Sequence, residues 1–506
     1  MEIIHLSLSS FNISATTTHL TRKETAVMIK TVLDVAEGGF CSGCGSCAFQ
    51  APAALEMVLG TEGTFQPRIR PDAGNNPSLP PLETCPMSGV GPTETEIASK
   101  LWPDLRVDDQ IGRHLTTIAT HLTNNESRMA SGSGGLVTWI AEELLAAGDV
   151  DCVIHVRPAG EVDASQLDAG SAEPGKDTPL FAYQISRDRD EVRNGRKSRY
   201  YPVEMSTVLK ELVEMRGRAV VIGVPCFIKS LRGLIEAGAL PAERVPFMIG
   251  LVCGHLKSVY FAEYLAWQRD VAPGQLAWCD FRHKLLDRPA SSYGFALRTR
   301  GTPKDTLSVY PMQELRGRDW GEGLFRLPAC EFCDDVLAEC ADVAIGDAWL
   351  PQFVNDPMGE NVVVVRNARI GELIDAGQER GEIAVTPVSA SDIARSQASG
   401  LRHRREGLSH RLMRRQMAGK WIPRKRVAPS LAPEEKRREI YDLRQEIANT
   451  SNASFARARA IGSIAVFEGE MGPRLRRLKR LSYGSVATRA LRKLSRLLAK
   501  ALRTSR

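Results

Sequence analysis

Eleven cysteines constrain this chain more than any other feature, because they are bunched: they lie at positions 41, 44, 47, 85, 152, 226, 253, 279, 330, 333 and 340. Cys41-x-x-Cys44-x-x-Cys47 puts three thiols within seven residues, and Gly43 and Gly45 between them suit a tight loop whose backbone N–H groups can face sulfide. Such a loop wraps three corners of an iron–sulfur cube, and a fourth Cys followed by Pro completes the ferredoxin pattern. Where that Cys-Pro usually follows at once, this chain has Ala51-Pro52, which leaves Cys85-Pro86 as the substitute. A zinc knuckle built from Cys41, Cys44, Cys47 and Cys85 is the alternative, although zinc usually takes two separated pairs rather than a run of three. Neither reading resembles the evenly spread cysteines of a small disulfide-stapled domain.

At 506 residues the chain has room for roughly three folded units. Its 43% hydrophobic and 25% charged residues are those of a globular protein, and no apolar run reaches the roughly 18 residues that span a bilayer. Charge is uneven: residues 471–506 carry twelve Lys or Arg and no acid, so the net +6 of the whole chain hides a mildly acidic body. Glu2 stands where an export signal wants positive charge, which predicts a cytoplasmic chain with reduced thiols. Residues 1–27 read as an unstructured extension, with Met28 opening the first amphipathic segment.

The first cysteine group falls in a ferredoxin-like module at 28–97, whose many prolines between Gln66 and Glu96 forbid long helices. From about Leu115 the pattern is α/β. A first region, 115–205, has a Gly-rich turn, a helix from Leu136 and a strand at Val153–Val156; a second, 206–390, has apolar strands that end at Pro225-Cys226 and at Cys253, further short strands, and a helix over Ile370–Arg380. Segment 391–450 reads as a basic linker with a charged helix, since 402–426 hold ten Lys or Arg against one acid. Residues 451–506 read as a basic amphipathic tail, with Leu491, Leu494, Leu498 and Leu502 at helical spacing. Such a helix suits an anionic membrane surface, which would make the protein peripheral to the inner membrane face; nucleic acid ranks low because aromatic interleaving is missing.

Cys330-x-x-Cys333 alone fits a zinc half-site, a redox dithiol or chance. Cys226 and Cys253, each closing a strand, supply two more thiols, and the four together could enclose a second cube. Cys152, Cys279 and Cys340 sit among apolar or helical neighbours and read as ordinary buried thiols. Ser133, Gly134 and Gly135 before a helix suit phosphate, because small residues let the backbone approach and a helix start supplies N–H donors; a plain helix cap is the competing reading. Arg282 and Lys284 are the catalytic candidates, able to neutralise an anionic substrate or else to form a charged strand edge. Asp342 and Asp347 read as turn or cap residues.

Gly223-Val-Pro-Cys226, Gly250-Leu-Val-Cys253, Cys330-Glu-Phe-Cys333-Asp-Asp, Glu339-Cys-Ala-Asp342 and Gly346-Asp347-Ala-Trp349, in that order, resemble the coenzyme F420 hydrogenase/dehydrogenase beta-subunit family. The resemblance implies that Cys226, Cys253, Cys330 and Cys333 hold a 4Fe-4S cluster beside an FAD, and that the N-terminal module carries a second cluster. It implies that the turn at Ser133–Gly135, with Thr138 one turn on, lies near the FAD diphosphate. Ser198-Arg199-Tyr200 likewise resembles the family's Ser-Lys-Tyr flavin segment, with Arg in place of Lys, an exchange that keeps charge but alters its geometry.

The fold expected is therefore α/β (α+β): an N-terminal ferredoxin-like iron–sulfur module, an α/β flavin- and cluster-binding core, and a helical basic C-terminal extension. The function expected is that of an oxidoreductase with two 4Fe-4S clusters and one FAD. It would pass electrons between ferredoxin or another redox protein and a small-molecule two-electron acceptor, coenzyme F420-like or other, as a single chain or an oligomer. Two alternatives stand beside it: an electron-transfer subunit without its own substrate, and a zinc-stabilised protein that binds an anionic surface through its basic segments.

Overall fold

The computed structural model describes residues 29–159, 179–303 and 306–484. An eight-stranded mixed sheet runs in the order Ile383–Pro387, Thr116–Leu122, Asn361–Val365, Val343–Asp347, Phe247–Leu251, Ala219–Gly223, Cys152–Pro158, Phe181–Ser186. The four strands 343–347, 247–251, 219–223 and 152–158 are mutually parallel, and the outer pairings are antiparallel. Strands such as Ala219–Gly223 and Asn361–Val365 are buried along their whole length, because helices cover both faces and each face needs apolar cover. Val220 and Ile222 join the core that includes Leu136, Ile140 and Ile370, while Ala219 and Val221 join the opposite core with Val208, Phe227 and Leu231. Alternation along the strand thus feeds two cores at once.

This arrangement brings the carboxyl ends of adjacent parallel strands to one edge, the usual place for a site in such a sheet. The N-terminal module sits there: helices Val32–Glu37 and Ser46–Gln50, and the hairpin Leu55–Leu59/Phe65–Ile69. Its cysteine loop is fastened to the core by Met205, whose N–H donates to the Cys44 carbonyl at 3.0 Å. A Cβ at Gly45 would lie 2.9–3.0 Å from the backbone nitrogens of Ser206 and Met205, so only glycine lets the loop come this close.

A second layer consists of the antiparallel sheet Leu276–His283, Gly294–Thr299, Ser308–Pro311 and the helices Tyr260–Trp267, Glu435–Ile461 and Ile464–Tyr483. Phe325, Phe455, Phe467 and Tyr264 interlock at its centre, with ring centroids 4.8–6.1 Å apart.

Three expectations are corrected here. The division at 450/451 falls inside the single helix Glu435–Ile461. Segment 402–426 is not a solvated basic patch, since Arg404 and Arg411 are buried, Arg411 pairs with Glu331 at 3.1 Å and Arg426 pairs with Glu339 at 2.7 Å. The first part of the basic tail is docked: Met471 and Leu478 are buried, and Arg474 and Arg477 meet Glu446 and Glu439 at 2.6 and 2.7 Å. In the last two cases carboxylates distant in sequence neutralise Arg411, Arg426, Arg474 and Arg477, which local composition does not reveal. Leu491, Leu494, Leu498 and Leu502, and residues 1–27, lie outside the described residues.

Candidate functional site

Cys41, Cys44, Cys47 and Cys85 line one small cavity, walled by Val32, Val35, Met57 and Pro67. Gly43, at φ +75°, turns the loop so that its own N–H donates to Cys41 Sγ at 3.3 Å, and a Cβ there would lie 3.0 Å from the Phe65 carbonyl. Desolvation, reinforced by the neighbouring thiols, raises the pKa of Cys41 and Cys47 and pushes Cys85 up to about 12. Three of these four thiols are therefore protonated at neutral pH unless a cation compensates them.

Cys226, Cys253, Cys330 and Cys333 line a second small cavity. Cys226 follows Pro225 at the start of helix Pro225–Glu236, just past the strand Ala219–Gly223, and Cys253 follows the adjacent strand Phe247–Leu251. The two remaining thiols come from the short turn Pro328–Phe332 and the residue after it. The Leu256 N–H donates to Cys330 Sγ at 3.2 Å, a contact that reaches across the two loops. Burial again raises all four thiols, Cys330 to about 12. Ser42 lines both cavities, so one residue's width of protein stands between them. Cys152, Cys279 and Cys340 line neither.

Among the described residues no three His, Cys, Asp or Glu side chains converge on a point where one metal ion would sit. Zinc needs that convergence, with each thiolate about 2.3 Å from the ion. Four thiols around each cavity, with an N–H on a sulfur in each, are a donor set that fits an iron–sulfur cluster.

The Gly-rich turn lies at the same edge of the sheet. Gly134 and Gly135 face inward: a Cβ on Gly134 would sit 2.7 Å from the Thr120 carbonyl, and one on Gly135, at φ +98°, 2.6 Å from Leu122. Their missing side chains thus serve packing. Ser133 Oγ donates to the Glu360 carbonyl at 3.0 Å, and the first helical N–H, that of Leu136, is taken by Asn361 Oδ1 at 3.2 Å. Thr138 lies in the helix Leu136–Ala146 that follows. It is Gly132 that opens onto a small pocket, shared with Arg282, Lys284, Tyr293, Met358 and Gly359.

Ser198, Arg199 and Tyr200 are brought beside this turn, with Ser198 Oγ 3.0 Å from where a Gly132 Cβ would stand. Arg199 lies over the Phe181 ring at 4.8 Å, and its buried Nε and Nη1 have no hydrogen-bond partner among the described residues. Tyr200 packs on Trp320 and Phe281, with ring centroids 4.7 and 5.4 Å away. Arg282, an exposed strand edge on the simpler sequence reading, is 4% exposed and meets both oxygens of Asp347 at 2.8 and 3.2 Å. Asp347 is therefore an ion-pair partner rather than a turn cap. Asp342 accepts from the Met248 N–H and from Arg232, both at 2.9 Å, and so ties neighbouring elements together. Lys284 donates to the carbonyls of Arg128 and Ser133. Burial, with Lys197, Arg128 and Arg282 nearby, holds its pKa down at about 7.

The orphaned guanidinium nitrogens and the Lys284 ammonium fit an anionic cofactor. The free space in the pocket is about 10 Å³, far below that of a cofactor site, so side chains here would have to move aside for one to enter. Sequence reading missed Arg404, which lines the second cysteine cavity, and Trp320, which packs on Gly254 next to Cys253. Neither carries a local signal: Arg404 is one basic residue in a basic run.

Two profiles of one family match this sequence: the N-terminal part of the coenzyme F420 hydrogenase/dehydrogenase beta subunit over residues 117–210, and its C-terminal part over 217–391. Together they cover more than half of the chain. The chain belongs to the coenzyme F420 hydrogenase/dehydrogenase beta-subunit family. That makes it a redox protein of the oxidoreductase class. Among solved structures it is similar to a chain of the F420-reducing [NiFe] hydrogenase complex from Methanosarcina barkeri, studied as a xenon derivative. The identity is 14% and the TM-score 0.45, and the match covers 63% of this chain and 99% of that one. No curated protein matches the sequence. No helix among the described residues is long and apolar enough to cross a membrane.

Proposed function

We propose that this beta-subunit relative is an iron–sulfur flavoprotein oxidoreductase. Cys41, Cys44, Cys47 and Cys85 would hold one 4Fe-4S cluster, and Cys226, Cys253, Cys330 and Cys333 a second. FAD would lie against Gly132, Arg199, Arg282 and Lys284. The observation that carries the reading is the pair of four-cysteine cavities walled from each other by Ser42. One-electron carriers that close suit transfer from a ferredoxin-type donor inward. FAD, when bound, converts single electrons into a two-electron reduction. The acceptor is an organic two-electron carrier of the coenzyme F420 type.

The chain's own residues do the positioning. Arg199 has two N–H donors without a partner among the described residues, which would meet a phosphate or ring oxygen, and Lys284 adds positive charge in the pocket. Asp347 holds Arg282 in one orientation, on the Tyr293 ring at 4.4 Å and the Trp349 ring at 5.4 Å, so its charge faces the pocket without reorganising. Tyr200 and Trp320 fill the space between this pocket and the Cys253 loop and keep water out.

The test is the composition of anaerobically purified protein. About eight irons and eight sulfides per chain, with one FAD and a visible spectrum that bleaches on reduction, are the expected result. Colourless protein containing zinc would overturn it. Reduction of coenzyme F420 by reduced ferredoxin then tests the acceptor.

A further inference from the structure

We infer that Arg404 is a built-in counter-charge for the second cysteine site, and that it sets the reduction potential there. The inference rests on the reading that Cys226, Cys253, Cys330 and Cys333 hold a cluster. Arg404 ends the helix Ala398–Arg404, beyond residue 391 where the family match stops. The side chain is 2% exposed and lines the cavity that the four cysteines enclose.

Its guanidinium clamps both ligand loops. Nη1 donates to Cys333 Sγ and the Asp335 carbonyl, while Nη2 donates to the carbonyls of Cys253 and Gly254 at 3.0 and 2.8 Å and reaches Cys253 Sγ at 3.7 Å. Among the described residues no carboxylate lies within ion-pair distance of it. The neighbouring cations differ: Arg326 and Arg411 are both spent on Glu331, at 2.8 and 3.1 Å. A buried cation without a carboxylate is expensive unless an anion faces it. Among the described residues, the groups in contact with it that can carry negative charge are the Cys333 and Cys253 sulfurs.

Four thiolates around a 4Fe-4S core make a dianion, which becomes a trianion when the donor supplies one electron. A fixed positive charge in contact with two of the sulfurs favours the trianion and so raises the potential. Arg404 is thus a positioning and tuning residue, not a catalytic one. Lysine would keep the charge without the fork that spans both loops.

The test is an EPR-monitored redox titration of Arg404→Met, Arg404→Gln and Arg404→Lys beside wild type, with iron and sulfide assayed on every sample. The cluster in the first cavity serves as the internal control. At fixed potential the reduced-to-oxidised ratio of the second cluster should fall at least tenfold in the Met and Gln variants, a shift of about 59 mV for one electron. The Lys variant should stay nearer wild type, and the first cluster should not move. Loading of the second cluster by Lys but by neither neutral variant would also support the need for charge. A loaded neutral variant with an unmoved midpoint overturns the inference, as does a Lys variant shifted as far as Met. Wild type without iron or sulfide would instead sink the cluster reading beneath it.

Discussion

Single residues at the sheet edge have two different reasons for their identity, and substitution separates them. Gly134 is glycine because the Thr120 carbonyl and the Asn361 side chain occupy the space a Cβ needs, each 2.7 Å away. Gly134→Ala should therefore destabilise the fold by about 1–3 kcal/mol, seen as a lower urea midpoint in protein without flavin. An unchanged midpoint would return this glycine to the cofactor. Lys284 concerns charge. Its pKa of about 7 lies below the ordinary 10.5, so between those values the folded chain binds fewer protons and Lys284's contribution to stability rises with pH. An anion bound beside it favours the protonated form, so anion affinity falls as pH rises through 7. The dissociation constant of FAD should rise by up to about tenfold per pH unit above 7, and Lys284→Met should flatten that profile; identical profiles would place the flavin elsewhere. Lys197, Arg128 and Arg282 share the locality and push the Lys284 pKa down, whereas Asp356 opposes the shift.

At the scale of elements, the C-terminal helices are part of the core rather than an appendage. Phe467 is 1% exposed among Tyr264, Phe325 and Phe455. Phe467→Ala should cost about 3–5 kcal/mol, read as a lowered thermal midpoint, and a chain ending at Ser463 should fail to fold. A chain ending at Gly484 keeps every described element and should retain its visible spectrum, while losing affinity for anionic vesicles. Equal vesicle binding by that chain and the full one would remove the membrane idea. The strands near 153–156, 219–224, 247–253, 343–346 and 362–366 were legible because apolar runs bounded by Gly, Pro and Cys have few readings, whereas Thr116–Leu122, Phe181–Ser186 and Ile383–Pro387, which alternate or carry polar residues, were not. The docking of 402–426 and 471–484 was not: Arg411, Arg426 and Arg474 find Glu331, Glu339 and Glu446 only after the chain has folded back.

For the whole molecule, the two cysteine sites should be separable. Cys330→Ser should lower iron from about eight to about four per chain, leaving the first cluster's signal and abolishing flavin reduction by reduced ferredoxin. Cys340→Ser should leave iron unchanged, since Cys340 lines neither cavity. Equal iron loss in both variants would mean that the assignment of ligands is wrong.

The amino-acid sequence by itself determined which thiols could act together, the strands that end on two of them, and the glycine turn, because each depends on residues a few positions apart. Tertiary structure alone decided that the two cavities share Ser42, that Asp347 orients Arg282, and that Arg404 reaches Cys333 from 71 residues further along the chain. Those are contacts between distant segments, made when packing desolvates a charge and leaves it a single partner, and no local pattern encodes which partner that is.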